Sequence, residues 1–438
     1  MDTKRLYRKY VMTGFVRAVE SVVIARGQGA EIIAQDGRRY LDAFAGIAVT
    51  NCGHGNPEIL AAAARQLRQF VHCCSYLYYS PPTALLAQRL AEITPGRGAK
   101  KVFFGNSGAE ANEAALRLAK RYTGRREFIA LQGAFHGRSY ATLSISGQSS
   151  RKRGGGPYMG GVAFAPIPYC YRCPFGLRAP SCAMRCAEAV QHTIAFSTSG
   201  DVAAFIAEPV LGEGGIIVPP AEYFARVANI LRQHGILFIV DEVQTGFGRT
   251  GTMFAIEHSG VEPDLLTLGK AIANGFPLSA LVARADIAAA FQPGDHLSTF
   301  GGNPVSCAAG LATIDFIQRR HLPAQAEEKG AYLLEQLRTL QTSCPAIGDV
   351  RGLGLMIGVE IVRGTDRRPD PQAARALQQG CRRAGVLIGL GGIYSNVLRL
   401  QPPLSISRLQ LDQIVEALRR ALRTQGLIRA PRIGGVRR

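Results

Sequence analysis

Residues 267–280 read TLGKAIANGFPLSA, and Lys270 is the residue in that stretch equipped for chemistry. Lysine is scarce in this chain: 8 occur among 51 lysines and arginines. Arginine keeps its proton under all ordinary conditions, whereas a buried lysine amine gives it up. A chain that otherwise chooses Arg has kept Lys at the end of an apolar run, which points to amine chemistry.

Other stretches offer partners for such an amine. In FIVDEVQTGFGRTG (238–251), Asp241 ends a very apolar run. A carboxylate there is costly unless it is paired. It either meets an arginine or partners the ring nitrogen of a pyridinium cofactor, with Gln244 placed to donate to a phenolate oxygen. Asn106-Ser107-Gly108-Ala109 opens a helix after an apolar run, either as a simple cap or as an anion site of backbone N–H groups suited to phosphate. AFHGRS (134–139) offers the aromatic face of Phe135 and the guanidinium fork of Arg138. IAEPVLGEGG (206–215) ends an apolar run with Glu208 and Glu213 before glycines that permit close backbone approach. STFGGNP (298–304) sets Thr299 in a turn, and NVLRLQPPL (396–404) holds Arg399 in an apolar run, where an unpaired guanidinium is expensive.

The elements that must hold these residues are legible from periodicity. KVFFG (101–105) reads as a strand, followed by a helix that Ser107 caps and Glu110 completes as a capping box. Leu116 and Ala119 share one face of it, Lys120 and Arg121 suit its last turn, and Gly124 ends it. EFIALQ, VAAFIAEPV, ILFIVDEV and DLLTLG read as further buried strands. Such alternation predicts an α/β unit with a mainly parallel sheet. From about residue 310 the chain turns helix-rich, then gives the strand-like GLGLMIGVEI (352–361) and closes on the helix SRLQLDQIVEALRRALRTQG.

Composition narrows the function class. A chain of 438 residues, 47% hydrophobic and 19% charged, has the make-up of a folded enzyme of about two domains. The net charge is +19, yet the arginines are scattered; RKRG (151–154) and RIGGVRR at the end are the dense tracts, and neither interleaves with aromatics. That argues against nucleic acid as a partner and for a basic surface that attracts small anions. No apolar run reaches the roughly 18 residues a membrane span needs, and the start, MDTKRLYRKYVMTGF, has no apolar leader core, so a cytoplasmic location is expected. Among ten cysteines, Cys170, Cys173, Cys182 and Cys186 follow C-x2-C-x8-C-x3-C. That spacing is open between a structural metal site, disulfides and reduced thiols.

Taken together, the DEVQTGFGRTG stretch and the following TLGKAIANGFPLSA resemble class III aminotransferases of the pyridoxal 5′-phosphate (PLP) fold type I superfamily, over about residues 20–425. The match is nearest to the 4-aminobutyrate aminotransferase subgroup. The resemblance implies an α/β fold: a large PLP-binding domain with a mainly parallel central sheet over 56–310, holding a cysteine-containing insertion at about 151–188. A smaller α+β domain follows over 311–438, with residues 1–55 packing on it. It implies that Lys270 carries PLP as an imine and later moves the proton, with Asp241 on the ring nitrogen and Gln244 on the ring oxygen. Phe135 would stack on the ring, with His136, Val243 and Glu208 beside the cofactor, and Ser107, Gly108 and Ala109 on its phosphate. Thr299 would reach the phosphate of a neighbouring subunit, making at least a homodimer with shared active sites. Ile47, Arg138, Glu213 and Arg399 stand where that subgroup contacts substrate: Arg138 on the distal carboxylate, Arg399 on the α-carboxylate, Glu213 on Arg399 when no α-carboxylate is present. The implied reaction passes the amino group of an ω-amino acid through pyridoxamine phosphate to 2-oxoglutarate. Ornithine, acetylornithine and amine:pyruvate aminotransferases, and amino-acid racemases or epimerases, share the fold and the lysine and stay open as alternatives.

Overall fold

The apolar runs assemble as neighbours in one sheet. The computed structural model describes residues 2–14 and 19–428. In chain order the strands of this sheet are β1 (Lys100–Gly105), β2 (Glu127–Leu131), β3 (Val162–Ala165), β4 (Val202–Ala207), β5 (Leu237–Asp241), β6 (Leu265–Leu268) and β7 (Ser279–Arg284). They lie side by side as β1-β7-β6-β5-β4-β2-β3. β7 is antiparallel to β1 and β6, and the other pairs are parallel. Successive strand residues point to opposite faces, and both faces are covered. Phe128, Ala130, Ala204 and Ile206 join one apolar cluster with Leu118 of the helix that follows β1, while Ile129, Leu131, Phe205 and Ala207 join another. Burial on both faces is why these strands read as continuous apolar runs rather than alternating ones.

Helix α1 (Gly108–Thr123) starts at Ser107, whose hydroxyl accepts from the Glu110 N–H at 3.3 Å. The expected capping box is shifted by one residue: the Glu110 carboxylate takes the Asn106 N–H at 3.0 Å and the Asn106 side-chain amide at 2.9 Å. Gly124 ends the helix at φ 69°.

The span expected to be an insertion, 151–188, contains the sheet strand β3, a four-residue edge strand too short and too flanked by Gly and Pro to stand out. GLGLMIGVEI is not one strand: Ile347–Leu353 and Met356–Arg363 pair as a hairpin. The turn needs Gly354, at φ 52°, since a Cβ there would meet the Thr250 carbonyl carbon at 2.5 Å. Met356–Arg363 also pairs with Val397–Leu400, which carries Arg399. Ile24–Gln28, Glu31–Ala34 and Arg39–Asp42 form an antiparallel meander, and Val386–Leu387 adds to it parallel to Arg39–Asp42. The boundary expected near residue 310 falls within the helix Pro304–Arg319, which packs on Pro57–Gln69 and Pro81–Ile93. The closing helix Arg408–Thr424 is capped by Ser407 and Gln410 in a reciprocal box. Among the described residues, no helix is long and apolar enough to cross a membrane.

Candidate active site

The residues singled out for chemistry gather past the carboxyl ends of the sheet strands. Ser107, Gly108 and Ala109 follow β1, Phe135 and His136 follow β2, Glu208 follows β4, Asp241 closes β5, and Lys270 follows β6. In α/β sheets this edge is where ligands bind, because helix N-termini and loops converge there. A cavity of about 240 Å³ opens between them. Gly108, Ala109, Asn112, Phe135, His136, Gly137, Glu208, Asp241, Val243, Gln244 and Lys270 line it, while Ser107 caps the adjoining helix without lining it.

Asp241 is 3% exposed and, among the described residues, has no arginine partner. Its Oδ2 accepts from Asn112 Nδ2 at 2.8 Å and lies 2.8 Å from His136 Nδ1, and its Oδ1 accepts from the Val243 N–H at 3.0 Å. His136 Nε2 is buried with no partner among the described residues. Glu208 accepts from the Phe135 and Gly212 N–H groups, each at 2.9 Å, which pins both loops to β4. Burial pushes its carboxyl up to about 7. Lys270 adopts φ 43°, a left-handed backbone that costs a non-glycine residue strain of the kind found at active sites. Removal from bulk water lowers its amine pKa, against the pull of Asp241, Glu213 and Glu208. Gln244 accepts at Oε1 from Gln401 Nε2 at 3.0 Å, which leaves its own amide N–H groups to donate.

Above the cavity, though not lining it, lie the remaining expected residues. Arg138 is exposed, with its guanidinium 5.2 Å from the Phe135 ring centroid. Arg399 donates from Nη1 to Glu213 Oε1 at 2.6 Å, while its Nε is buried without an acceptor. Burial pulls the Glu213 carboxyl up, but Arg399 first and Arg151 next outweigh it and hold it below the ordinary value. Ile47, at φ 71°, sits in the short turn Ala45–Ala48 that packs against Lys270–Ala273. Thr299 is exposed on its turn and does not line the cavity of its own chain.

Several residues of the site were missed in the sequence. Asn112, 1% exposed, also donates to the His136 carbonyl at 2.7 Å and accepts from Thr267 Oγ1 at 2.7 Å, so one amide ties α1, β5, β6 and the loop after β2 together. Arg249 is fully buried and donates to the carbonyls of Leu355 at 2.9 Å and Pro402 at 2.6 Å and to the Asn51 side chain. Burial pushes its pKa down to about 9. The first half of DEVQTGFGRTG therefore builds the cavity, and the second half fastens it to the segments that carry Asn51 and Arg399. Cys170, Cys173, Cys182 and Cys186 line a separate small cleft. Among the described residues, no three His, Cys, Asp or Glu side chains are gathered to hold a metal, these four included.

A family model described as aminotransferase class III matches residues 15–422. The chain belongs to the class III aminotransferases. This aminotransferase is 40% identical to the acetylornithine aminotransferase of Methanothermobacter thermautotrophicus over 94% of this chain and 96% of that one. It is 38% identical to the probable 4-aminobutyrate aminotransferase of Bacillus subtilis over 95% and 96%. Among solved structures, the PLP-bound amine transaminase of an uncultivated Pseudomonas species superposes with a TM-score of 0.89 at 34% identity, over 95% and 98% of the two chains.

Class III aminotransferases depend on PLP, and the cavity fits it. The first N–H groups of α1 have no acceptor within the helix. The end of the cavity beside them is kept open by glycine: a Cβ on Gly108 would meet Val243 Cγ1 at 2.6 Å. An aromatic side chain, a buried carboxylate, an unpartnered imidazole nitrogen and an amine face one space, which is the donor set a phosphorylated, cationic ring requires.

Proposed function

We propose that this aminotransferase moves the amino group of an ω-amino acid of the 4-aminobutyrate kind to 2-oxoglutarate. The observation that carries the reading is the pair of Glu213 and Arg399, 2.6 Å apart with side chains 15% and 4% exposed. One pocket must take a donor that lacks an α-carboxylate and an acceptor that has one. A switchable pair meets both needs, because Glu213 neutralises the guanidinium when no substrate carboxylate reaches it. In this reading Arg399 takes the α-carboxylate, Arg138 takes the distal one, and Ile47 borders the substrate.

PLP, when bound, supplies an electron sink for the carbon that loses its proton. Lys270 Nζ takes that proton and returns it; its lowered proton affinity suits a general base. Asp241 holds a proton at the ring nitrogen, and Asn112 and His136 hold Asp241. Gln244, oriented by Gln401, donates to the ring oxygen. Phe135 would stack on the ring, with His136 and Val243 beside it. Ser107, Gly108 and Ala109 bind the phosphate, and Glu208 keeps the Phe135 loop in place. Thr299 is assigned to the phosphate site of a neighbouring copy, in keeping with its exposed turn, so the active unit is a homodimer or larger. We place the enzyme in the cytoplasm, where reducing conditions suit ten unbridged cysteines.

The test is to mix holoenzyme with 4-aminobutyrate, without a keto acid, and to follow the visible band of the cofactor. Conversion of the band with release of succinic semialdehyde is the expected result. Conversion with ornithine-type donors or simple amines alone moves the substrate and overturns the 4-aminobutyrate reading. An unchanged band together with loss of optical activity in an amino acid replaces transfer by racemisation.

A further inference from the structure

Glu213 has a second arginine. Arg151 donates from Nη2 to Glu213 Oε2 at 3.2 Å, while Arg399 holds Oε1 at 2.6 Å. Arg151 stands on the short helix Ser149–Lys152, in the basic tract that reads in the sequence as mere surface. Its loop is tethered beside the cavity: the Gly147 N–H donates to the Ala134 carbonyl at 2.9 Å, and Gln148 Nε2 donates to the Gly133 carbonyl at 3.0 Å. Its guanidinium lies 5.9 Å from the centroid of the same Phe135 ring that Arg138 overlies. With a side chain one-third exposed, against 4% for Arg399, it has more room to follow a moving partner.

We propose that Arg151 is a positioning residue that keeps Glu213 paired when a substrate carboxylate takes Arg399. The proposal rests on the roles given above to Glu213 and Arg399. A switch of that kind has a difficulty: the displaced Glu213 would be left as an unpaired carboxylate in a largely buried place, which is strongly unfavourable. Arg151 removes the difficulty, because Glu213 already holds it through the oxygen that Arg399 does not use. Glu213 then needs to release one bond rather than leave the site. The substrate class follows: Arg151 favours ligands with two carboxylates placed as in 2-oxoglutarate, and is indifferent to those with one.

The experiment titrates PLP-loaded holoenzyme with two unreactive ligands, glutarate and butyrate, through the cofactor band and competition with the amino donor. Arg151→Gln is expected to weaken glutarate by at least tenfold and butyrate by less than twofold, and Arg151→Lys to restore most of the loss. In a Glu213→Gln background the same Arg151→Gln change is expected to cost glutarate less than twofold, since the carboxylate through which Arg151 acts is gone. An unchanged glutarate affinity in Arg151→Gln overturns the role. So does an equal loss for both ligands, or a full loss that persists beside Glu213→Gln, which would mean that Arg151 touches the ligand itself. Wild-type holoenzyme that binds neither ligand overturns the carboxylate reading of Arg399, and this role with it.

Discussion

Replacing Asn112 by Asp tests whether the buried amide supports Asp241 through its hydrogen bond. The substitution keeps the shape and changes one group. Asn112 Nδ2 now lies 2.8 Å from Asp241 Oδ2, with 1% of the residue exposed. A protonated carboxyl in its place still donates to Asp241, whereas an ionised one faces it as a like charge. Two unit charges about 4 Å apart repel by ~4 kcal/mol at an effective dielectric constant of about 20, which is about 3 pK units. Burial adds to this, as it does for Glu208, whose carboxyl rises to about 7. The new carboxyl therefore titrates at about 7 or above. Below that pH the variant should work near the wild-type level. Above it, kcat/KM for the amino donor should fall about tenfold per pH unit relative to wild type, as the new carboxyl loses its proton and Asp241 loses that donor. Asn112→Leu leaves Thr267 and the His136 carbonyl without their partner and should be impaired evenly across pH. The assay is kcat/KM between pH 5.5 and 9 for the three proteins. A constant ratio of Asn112→Asp to wild type over that range refutes the reasoning.

Lys270→Ala should abolish turnover in a steady-state assay; a variant that still transfers amino groups would remove Lys270 from the chemistry. Arg399→Ala should raise KM for 2-oxoglutarate at least tenfold and change that for 4-aminobutyrate less, and equal losses would count against its assignment to the α-carboxylate. Glu242 is fully buried, and burial pushes its carboxyl from 4.5 up to about 7. The folded state thus holds an extra proton between those values, so stability is lost as pH rises through about 4.5 to 7 and levels off above. Glu242→Gln should remove about 3 kcal/mol of that fall, or about 3 °C in Tm for a chain of this size, and parallel Tm–pH curves for the two proteins would falsify the effect. Prolonged chelation should leave Tm unchanged, since no metal-holding group exists among the described residues; a clear drop would give Cys170, Cys173, Cys182 and Cys186 a metal after all.

What could be read in the sequence follows from contrast. Asp241, Glu208 and Lys270 stand out because each is a charge at the end of an apolar run, and the strands behind them are buried on both faces. Parallel strands with covered faces bring those run ends to one edge, so strand order along the chain suffices to gather the site. Asn112 was silent because an amide inside a helix reads as a surface residue until its partners are known, and those partners lie 24, 129 and 155 positions away. Arg249 was silent for the same reason: two of its acceptors are backbone carbonyls, which no sequence displays, and the third, Asn51, lies 198 positions away. The strand β3 and the hairpin at Gly354 failed for a local reason. Four residues set between Gly161 and Pro166 give too broken a pattern, and a two-residue turn between apolar strands leaves no polar gap.

The charges around the cavity fall into two layers. Glu208 and Asp241 lie at the strand ends, and Arg138, Arg151 and Arg399 lie above with Glu213 among them. Both act on the proton affinity of Lys270: Asp241, Glu213 and Glu208 raise it, and burial and Arg399 lower it. Under the proposed roles, the upper layer has three guanidiniums and one carboxylate of its own. A donor with one carboxylate brings the anions to two, and a dicarboxylic acceptor brings them to three, one for each guanidinium. The dicarboxylic partner therefore completes the layer, while the monocarboxylic donor leaves one arginine shared with Glu213, as it is without substrate. A bound monocarboxylate and a bound dicarboxylate thus both leave Arg399 facing one carboxylate, from Glu213 or from the substrate. Lys270 meets the same neighbouring charge on Arg399 in either direction of transfer, which is what a single base serving both half-reactions needs.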